Sequence, residues 1–335
     1  MATSESLKTT AALPQQTTET TSPSKLKETF VGFTIGGLAA CGAVTFTNPL
    51  EVVKTRLQLQ GELVRAGALS ASARPYHNSL QALQVILKHE GIRGIQRGLG
   101  VAYVYQVCLN GSRIGLYEPV QNAAVSLFDI QSKQGMLASG VFAGAVAGVT
   151  GALLGSPLYL IKTRQQSYSP VFKQIGHQHE IDSAWNALSR IYRSEGLKGI
   201  YRGADAAMAR AGVGSAVQMP TYMFGKEILV SRFGLPDSIA THFATSMFAG
   251  FLVSIAMNPF DVISTRMYNQ GVDPVTGRGL LYNSPVDCFL KLTRTEGIRG
   301  LYKGFSAHYL RIGPHTTLMF VFMEQIKNIY GKYLQ

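Results

Sequence analysis

One pattern recurs three times in the chain and constrains its fold more than any other feature. A proline is followed two residues on by an acid or its replacement, five on by a base or its replacement, and seven on by arginine. The copies are Pro49-Leu50-Glu51-Val52-Val53-Lys54-Thr55-Arg56, Pro157-Leu158-Tyr159-Leu160-Ile161-Lys162-Thr163-Arg164 and Pro259-Phe260-Asp261-Val262-Ile263-Ser264-Thr265-Arg266. Their prolines stand 108 and 102 residues apart. A second pattern keeps the same period: Glu90-Gly91 leading to Arg97-Gly98, Glu195-Gly196 to Tyr201-Arg202-Gly203, and Glu296-Gly297 to Tyr302-Lys303-Gly304, with glycine steps of 105 and 101. Two independent motifs in one period of about a hundred residues define three copies of one structural unit.

Each copy of the first motif closes a stretch free of Asp, Glu, Lys and Arg: Phe30 to Leu50, Gln134 to Ile161 and Ile239 to Phe260. At about 1.5 Å per helical residue, each is long enough for about 30 Å of hydrocarbon. Between them, residues 98–121, 203–226 and 304–327 are apolar for long runs but carry charges. The chain therefore reads as an all-α membrane protein, six transmembrane helices in three pseudosymmetric repeats, an organisation typical of transporters. The divisions are a disordered, Ser/Thr-rich tail at 1–27 and repeats at 28–130, 131–235 and 236–335. The tail lacks the apolar core of a secretory signal. It also has acids (Glu5, Glu19) where a cleaved mitochondrial presequence would have arginine, so any organelle address is expected to be internal.

Composition agrees. Hydrophobic residues make up 46% and charged residues 15%, against about 25% charged in soluble domains. That excludes a natively disordered chain and disfavours a cytosolic enzyme. The net charge of +12 comes mostly from three blocks, Lys54–Arg97, Lys162–Arg202 and Arg266–Lys303, which hold twenty of the 31 basic residues. Blocks between apolar stretches are loops on one membrane face, not a nucleic-acid surface. Cys41, Cys108 and Cys288 have no paired spacing and read as small core residues. The seven histidines show no HExxH or Cys-His spacing, so neither a metal site nor a membrane enzyme is expected.

The tripled motif, each copy followed by Glu-Gly and then a base before glycine, resembles the mitochondrial carrier family over residue 28 to the end. Within that family, Thr47-Asn48-Pro49-Leu50-Glu51 with Leu57 to Glu62, and Asn110-Gly111-Ser112-Arg113 running into Tyr117-Glu118-Pro119, are most similar to the fungal oxaloacetate-carrier branch. The resemblance implies a multi-pass protein of the mitochondrial inner membrane, with six tilted helices around a cavity. It also implies a short matrix-side helix in each basic loop and alternating access between cytosol and matrix.

It further implies that the acid of one repeat pairs with the base of the next to close the matrix side. Glu51 with Lys162 and Asp261 with Lys54 satisfy that rule. The third pair is absent on both sides, because Tyr159 stands in the acid's place and Ser264 in the base's. No gate charge is thereby left unpaired in the membrane, where an ionised side chain costs roughly 2.5 to 3.5 kcal/mol or more. Twenty residues past Gly98, Gly203 and Gly304 lie Glu118, Met223 and Glu324, with Gln121, Lys226 and Lys327 three further on. A cytosolic gate is expected from Lys226 with Glu324 and Lys327 with Glu118, again with one chargeless pair.

Seven residues past the same glycines stand Tyr105, Arg210 and Arg311, and Arg113 lies fifteen past Gly98. These are the candidate substrate contacts, read as arginines with no gate acid left to neutralise them. Forked guanidinium groups suit carboxylates and sulfate, so the expected cargo is a small dianion such as oxaloacetate, malonate or sulfate. Obligate exchange of another dicarboxylate or keto acid is the alternative. His308 and His315 share the helix of Arg311 and read as packing residues or as carriers of a symported proton. With only two bridges per gate, net uptake is expected beside exchange. Gly32/Gly36, Gly140/Gly144 and Gly144/Gly148 suit close helix contact, either as packing within one monomer or as a dimer interface, and a monomer is the expectation. No cofactor is expected. Backbone amides after Gly98, Gly203 and Gly304, beside Arg97, Arg202 and Lys303, suit lipid phosphate, and the resemblance implies cardiolipin there.

Overall fold

A computed structural model describes residues 23–64, 75–181, 183–232, 234, 236, 239–273 and 276–333. Six long helices carry the fold: α1 (Pro23–Leu59), α3 (Leu99–Leu127), α4 (Lys133–Ser167), α6 (Ala204–Glu227), α7 (Ile239–Asn269) and α9 (Phe305–Tyr333). Three short ones lie between them, α2 (Ser79–Ile95), α5 (Ala184–Ile200) and α8 (Pro285–Thr295). The expected plan of two long helices and one short helix per repeat is what forms. Helix α1 starts at Pro23, inside the stretch assigned to the tail. Proline fits a first helical turn, where its missing N–H leaves no bond unmade. The rest of that tail, to residue 22, lies outside the described residues.

The long helices form a closed ring, α1 against α3, α3 against α4, α4 against α6, α6 against α7, α7 against α9 and α9 against α1. Helices α1, α4 and α7 also meet one another directly. Each of these three contains its signature proline, Pro49, Pro157 or Pro259. Proline cannot complete the helical ladder and bends the helix, which brings the signature ends together. The glycines of α4 work within the chain: a Cβ on Gly140 would meet the Tyr117 hydroxyl at 3.0 Å, and one on Gly148 the Ser215 hydroxyl at 3.1 Å.

The short helices lie against the signature end by one apolar face. Ala82 and Ile86 of α2, Ala187 and Ile191 of α5, and Cys288 and Leu292 of α8 are buried at helical spacing. The second motif makes two sharp corners in every repeat. Gly91, Gly196 and Gly297 share φ between 65° and 72° with extended ψ, and Gly98, Gly203 and Gly304 are left-handed. The latter also leave no room for a side chain. A Cβ on Gly304 would lie 3.1 Å from the Lys54 carbonyl oxygen, and one on Gly203 would lie 3.0 Å from the Met267 Cβ. Each such glycine therefore lets the start of the second long helix of its repeat (α3, α6 or α9, the even helices of the six in the ring) rest on the signature helix of the next repeat.

The distribution of polarity is inverted relative to a soluble protein. Leu38, Phe46, Phe142, Leu154, Phe248 and Leu310 are exposed on the long helices, whereas Arg56 and Arg266 are among the largest fully buried side chains. An apolar exterior over a charged interior is what a hydrocarbon solvent selects. The cysteines divide: Cys288 is buried, Cys41 half-buried and Cys108 exposed. Cys108 thus departs from the expected core role, because an apolar side chain in a spanning helix is as well placed outside as inside.

Candidate functional site

The buried charges gather where α1, α4 and α7 converge. Lys54 Nζ lies 2.7 Å from Asp261 Oδ2, and Lys162 Nζ makes an ion pair with Glu51 Oε2. Both are the pairs expected from the repeat rule, and both link different repeats. At the third position, the Tyr159 ring packs between Tyr105 and Tyr268 in tilted contacts, with centroids 5.3 and 5.2 Å away. The buried Ser264 hydroxyl has no hydrogen-bond partner. The vacant bridge position is thus filled by aromatic packing.

Arg210 and Arg311 overturn one expectation: gate acids do face them. Arg311 Nη1 stands 3.3 Å from Glu51 Oε1, and Arg210 Nε stands 3.8 Å from Asp261 Oδ1. A carboxylate has two oxygens. The lysine of the neighbouring repeat takes one, and an arginine long enough to reach down from the even helix takes the other. Neither arginine is held tightly, since the Nε atoms of both are buried without a hydrogen-bond partner. The Arg210 guanidinium also lies over the Tyr159 ring at 5.5 Å. Tyr105 is buried and stands beneath Lys162, whose ammonium is 5.4 Å from the ring. Arg113 is exposed, with Tyr105 and Arg210 as its electrostatic neighbours.

His308 is fully buried, with Nδ1 4.0 Å from Asp261 Oδ2 and no hydrogen bond to either ring nitrogen. It stands four residues past Gly304, where the other repeats have Ala102 and Ala207. His315 is tied to Thr47 Oγ1 at 3.1 Å.

Below the gate lies a layer that charge counting along the sequence missed. Gln58 donates to Asp261 Oδ2 at 2.7 Å and accepts from Thr265, while Gln166 accepts from Thr55 and donates to Asn48. Gln58, Gln166 and Tyr268 each stand nine residues past a signature proline, so extending the repeat alignment by one helical turn would have found them. One residue deeper in the fold, each signature arginine bonds a backbone carbonyl of the next repeat at that same position: Arg56 to Gln166, Arg164 to Tyr268 and Arg266 to Gln58.

The signature arginines also reach their own short helices. Arg56 grips Glu90 at 2.5 and 2.9 Å, and Arg266 grips Glu296 at 2.6 and 2.8 Å. Burial pushes both carboxyls up. The arginines more than offset it, so Glu90 and Glu296 sit below the usual carboxylate range.

The opposite end is different. Glu118, Glu324 and Lys327 are exposed and carry no ion pair among the described residues, and Lys226 is half-buried. Glu118 and Lys327, one of the two expected pairs, make no ion pair with each other among the described residues. The described charges thus form a floor where α1, α4 and α7 converge, held by two ion pairs and reached from α6 and α9 by Arg210 and Arg311.

A three-repeat membrane ring with such a floor defines a class of transport protein, and comparison with known sequences agrees. The family model described as mitochondrial carrier protein matches residues 26–126, 133–233 and 236–334. A mitochondrial oxaloacetate transport protein of Saccharomyces cerevisiae is 46% identical over 93% of this chain and 94% of its own length. Its Schizosaccharomyces pombe namesake is 48% identical over 90% and 91%. A mitochondrial citrate transporter E of Aspergillus niger is 46% identical over 89% and 92%. The chain belongs to the mitochondrial carrier family, and is thereby a multi-pass transporter of the mitochondrial inner membrane.

Proposed function

We propose that the protein carries small dianions of the oxaloacetate, malonate or sulfate kind by alternating access, as a monomer, with no covalent chemistry and no cofactor. The observation that carries this reading is the charge of the cavity floor. Four cations, Lys54, Lys162, Arg210 and Arg311, face two acids, Glu51 and Asp261, a surplus of two positive charges. The names borne by the yeast relatives support oxaloacetate as one such cargo.

The geometry supplies a coupling. A dianion that takes Arg311 and Arg210 as partners competes with Glu51 and Asp261 for them. Each acid is then left to its lysine and, for Asp261, to Gln58, so the matrix gate is held by fewer contacts. Arg113, nearer the mouth, meets the anion on entry. Glu118 with Lys327 and Lys226 with Glu324 close the cytosolic end afterwards. Cardiolipin phosphate occupies the amide-lined starts of α3, α6 and α9. Because the third bridge is aromatic, the empty carrier resets and net uptake accompanies exchange.

The test is uptake into proteoliposomes with and without internal substrate, and with and without an imposed pH gradient. Oxaloacetate, malonate and sulfate are expected to enter, ADP and ornithine not. Arg210→Ala and Arg311→Ala should each reduce transport at least a hundredfold, in line with the loss of a buried charge-assisted contact of roughly 3 kcal/mol. Ornithine uptake equal to that of the dianions would sink the reading.

A further inference from the structure

We infer that Tyr159 and Ser264 together set the valence of the transported anion. They occupy the acid and base positions of the one absent bridge, and their joint neutrality keeps the floor surplus at two. The inference rests on the proposed transport of small anions and assigns the residues that tune it.

The argument starts from what Arg210 touches. It has one carboxylate neighbour, Asp261, whose Oδ1 is 3.8 Å away and accepts no hydrogen bond. Its other close partners are uncharged, the Tyr159 ring at 5.5 Å and the neighbouring Tyr105 side chain. A ring face attracts a guanidinium through its quadrupole, far more weakly than a carboxylate does, and brings no formal charge. Lys162 stands 5.8 Å from the same ring, so the one side chain borders two of the four floor cations. Tyr159 is half-buried, and its stack on Tyr268 is fixed by the Ser156 hydroxyl, 2.8 Å from that of Tyr268. An acid here would sit among Arg210 and Lys162 and lower the surplus to one. A base at Ser264, on the same helix as Asp261 and one turn on, would raise it to three. With both replaced by neutral groups, the charges cancel and Arg210 keeps a free Nε for a ligand oxygen.

Opposite single substitutions should therefore move selectivity in opposite directions. Tyr159→Asp is expected to raise the KM for malonate and sulfate roughly tenfold, with a smaller change in maximal rate, and to favour pyruvate, a monoanion. Ser264→Lys is expected to favour citrate, a trianion. Tyr159→Asp with Ser264→Lys should return the preference to dianions. Tyr159→Leu removes the ring and adds no charge, so the dianion preference should survive whatever happens to the rate. All are read in proteoliposomes after a cooperative melt in detergent shows folded protein. A folded Tyr159→Asp with the unaltered dianion-to-monoanion ratio overturns the inference, and so does a Tyr159→Leu that shifts the ratio as far. If the aspartate variant does not fold, Ser264→Lys decides alone, and an unchanged citrate-to-malonate ratio overturns the inference equally. Failure of the unsubstituted protein to carry any dianion would instead refute the proposed function and is visible before any variant is made.

Discussion

In repeats 1 and 3 the signature arginine closes a two-toothed ion pair with the glutamate of its own short helix, Arg56 with Glu90 and Arg266 with Glu296. In repeat 2, Arg164 reaches, among the described residues, only the Tyr268 carbonyl at 3.1 Å, with Nη2 buried and unpartnered there, while Glu195 is held by Arg202 at 2.7 Å. The same repeat carries Tyr159 where its neighbours carry Glu51 and Asp261. Symmetry in this ring is thus a matter of backbone, since glycine corners and proline bends are the same in all three repeats. The charges placed upon it are not, and at the signature positions the seam from repeat 2 to repeat 3 is joined by rings and hydrogen bonds, with only the longer Arg210–Asp261 contact at 3.8 Å beside them among the described residues, where the other two are joined by lysine–carboxylate pairs.

The largest break in that comparison should come from the short-helix glutamates. Glu90→Ala and Glu296→Ala each leave a fully buried arginine without its partner and should destabilise by about 3 to 5 kcal/mol. Glu195→Ala, whose single ion-pair partner Arg202 keeps some contact with solvent, should cost less, about 1 to 2 kcal/mol. Thermal melts of the three variants in detergent would show two large shifts and one small one. Three equal shifts would mean that Arg164 relies on Glu195 after all.

Acid should discriminate next. Glu90 and Glu296 have folded-state affinities for protons below those of an unfolded carboxyl near 4.5, so their contribution is complete above that pH and is lost as pH falls through the lower folded values. Melting temperature should accordingly hold from pH 7 to about 5 and fall below about 4.5. Glu90→Gln with Glu296→Gln, already weakened, should show a flatter curve. An equal acid slope in the double variant would assign the loss to other groups.

The smallest effect is expected at the aromatic seam. Tyr268→Phe removes the bond to Ser156 and should cost about 0.5 to 1.5 kcal/mol, with the stack retained. Net uptake should rise relative to exchange, because this seam has no lysine–carboxylate bridge at its signature positions to compensate. A Tyr268→Phe protein with the same ratio of net uptake to exchange would show that the hydrogen bond has no part in holding the gate.

How far the site was legible in the chain depended on what kind of contact was sought. Glu51 with Lys162 and Asp261 with Lys54 follow from repeat alignment alone, since equivalent positions on a ring face equivalent neighbours. The height of Arg210 and Arg311 in the cavity was equally legible by counting from the glycines. Their engagement with Asp261 and Glu51 was not, because position along a helix says nothing about how far down a flexible five-atom side chain reaches. Gln58 and Gln166 were passed over for a different reason: they are neutral, and a search for paired charges does not register an amide that serves a carboxylate. The aromatic filling of the vacant bridge needed the structure as well, since Tyr268 stands on another repeat 109 residues from Tyr159.

The two families of arginine contact also differ in how much chain separates their ends. Arg56 meets Glu90 34 residues on, and Arg266 meets Glu296 30 residues on. By contrast, Gln58 meets Asp261 across 203 residues, and Arg266 meets the Gln58 carbonyl across 208. Closing a short loop sacrifices less chain entropy than closing a long one. On loop length alone, the ion pairs within repeats 1 and 3 should form before the clasp between the first and last repeats, which needs the C-terminal repeat in place. On the proposed mechanism, the contacts that complete the newborn ring are the same ones that a transport cycle would undo.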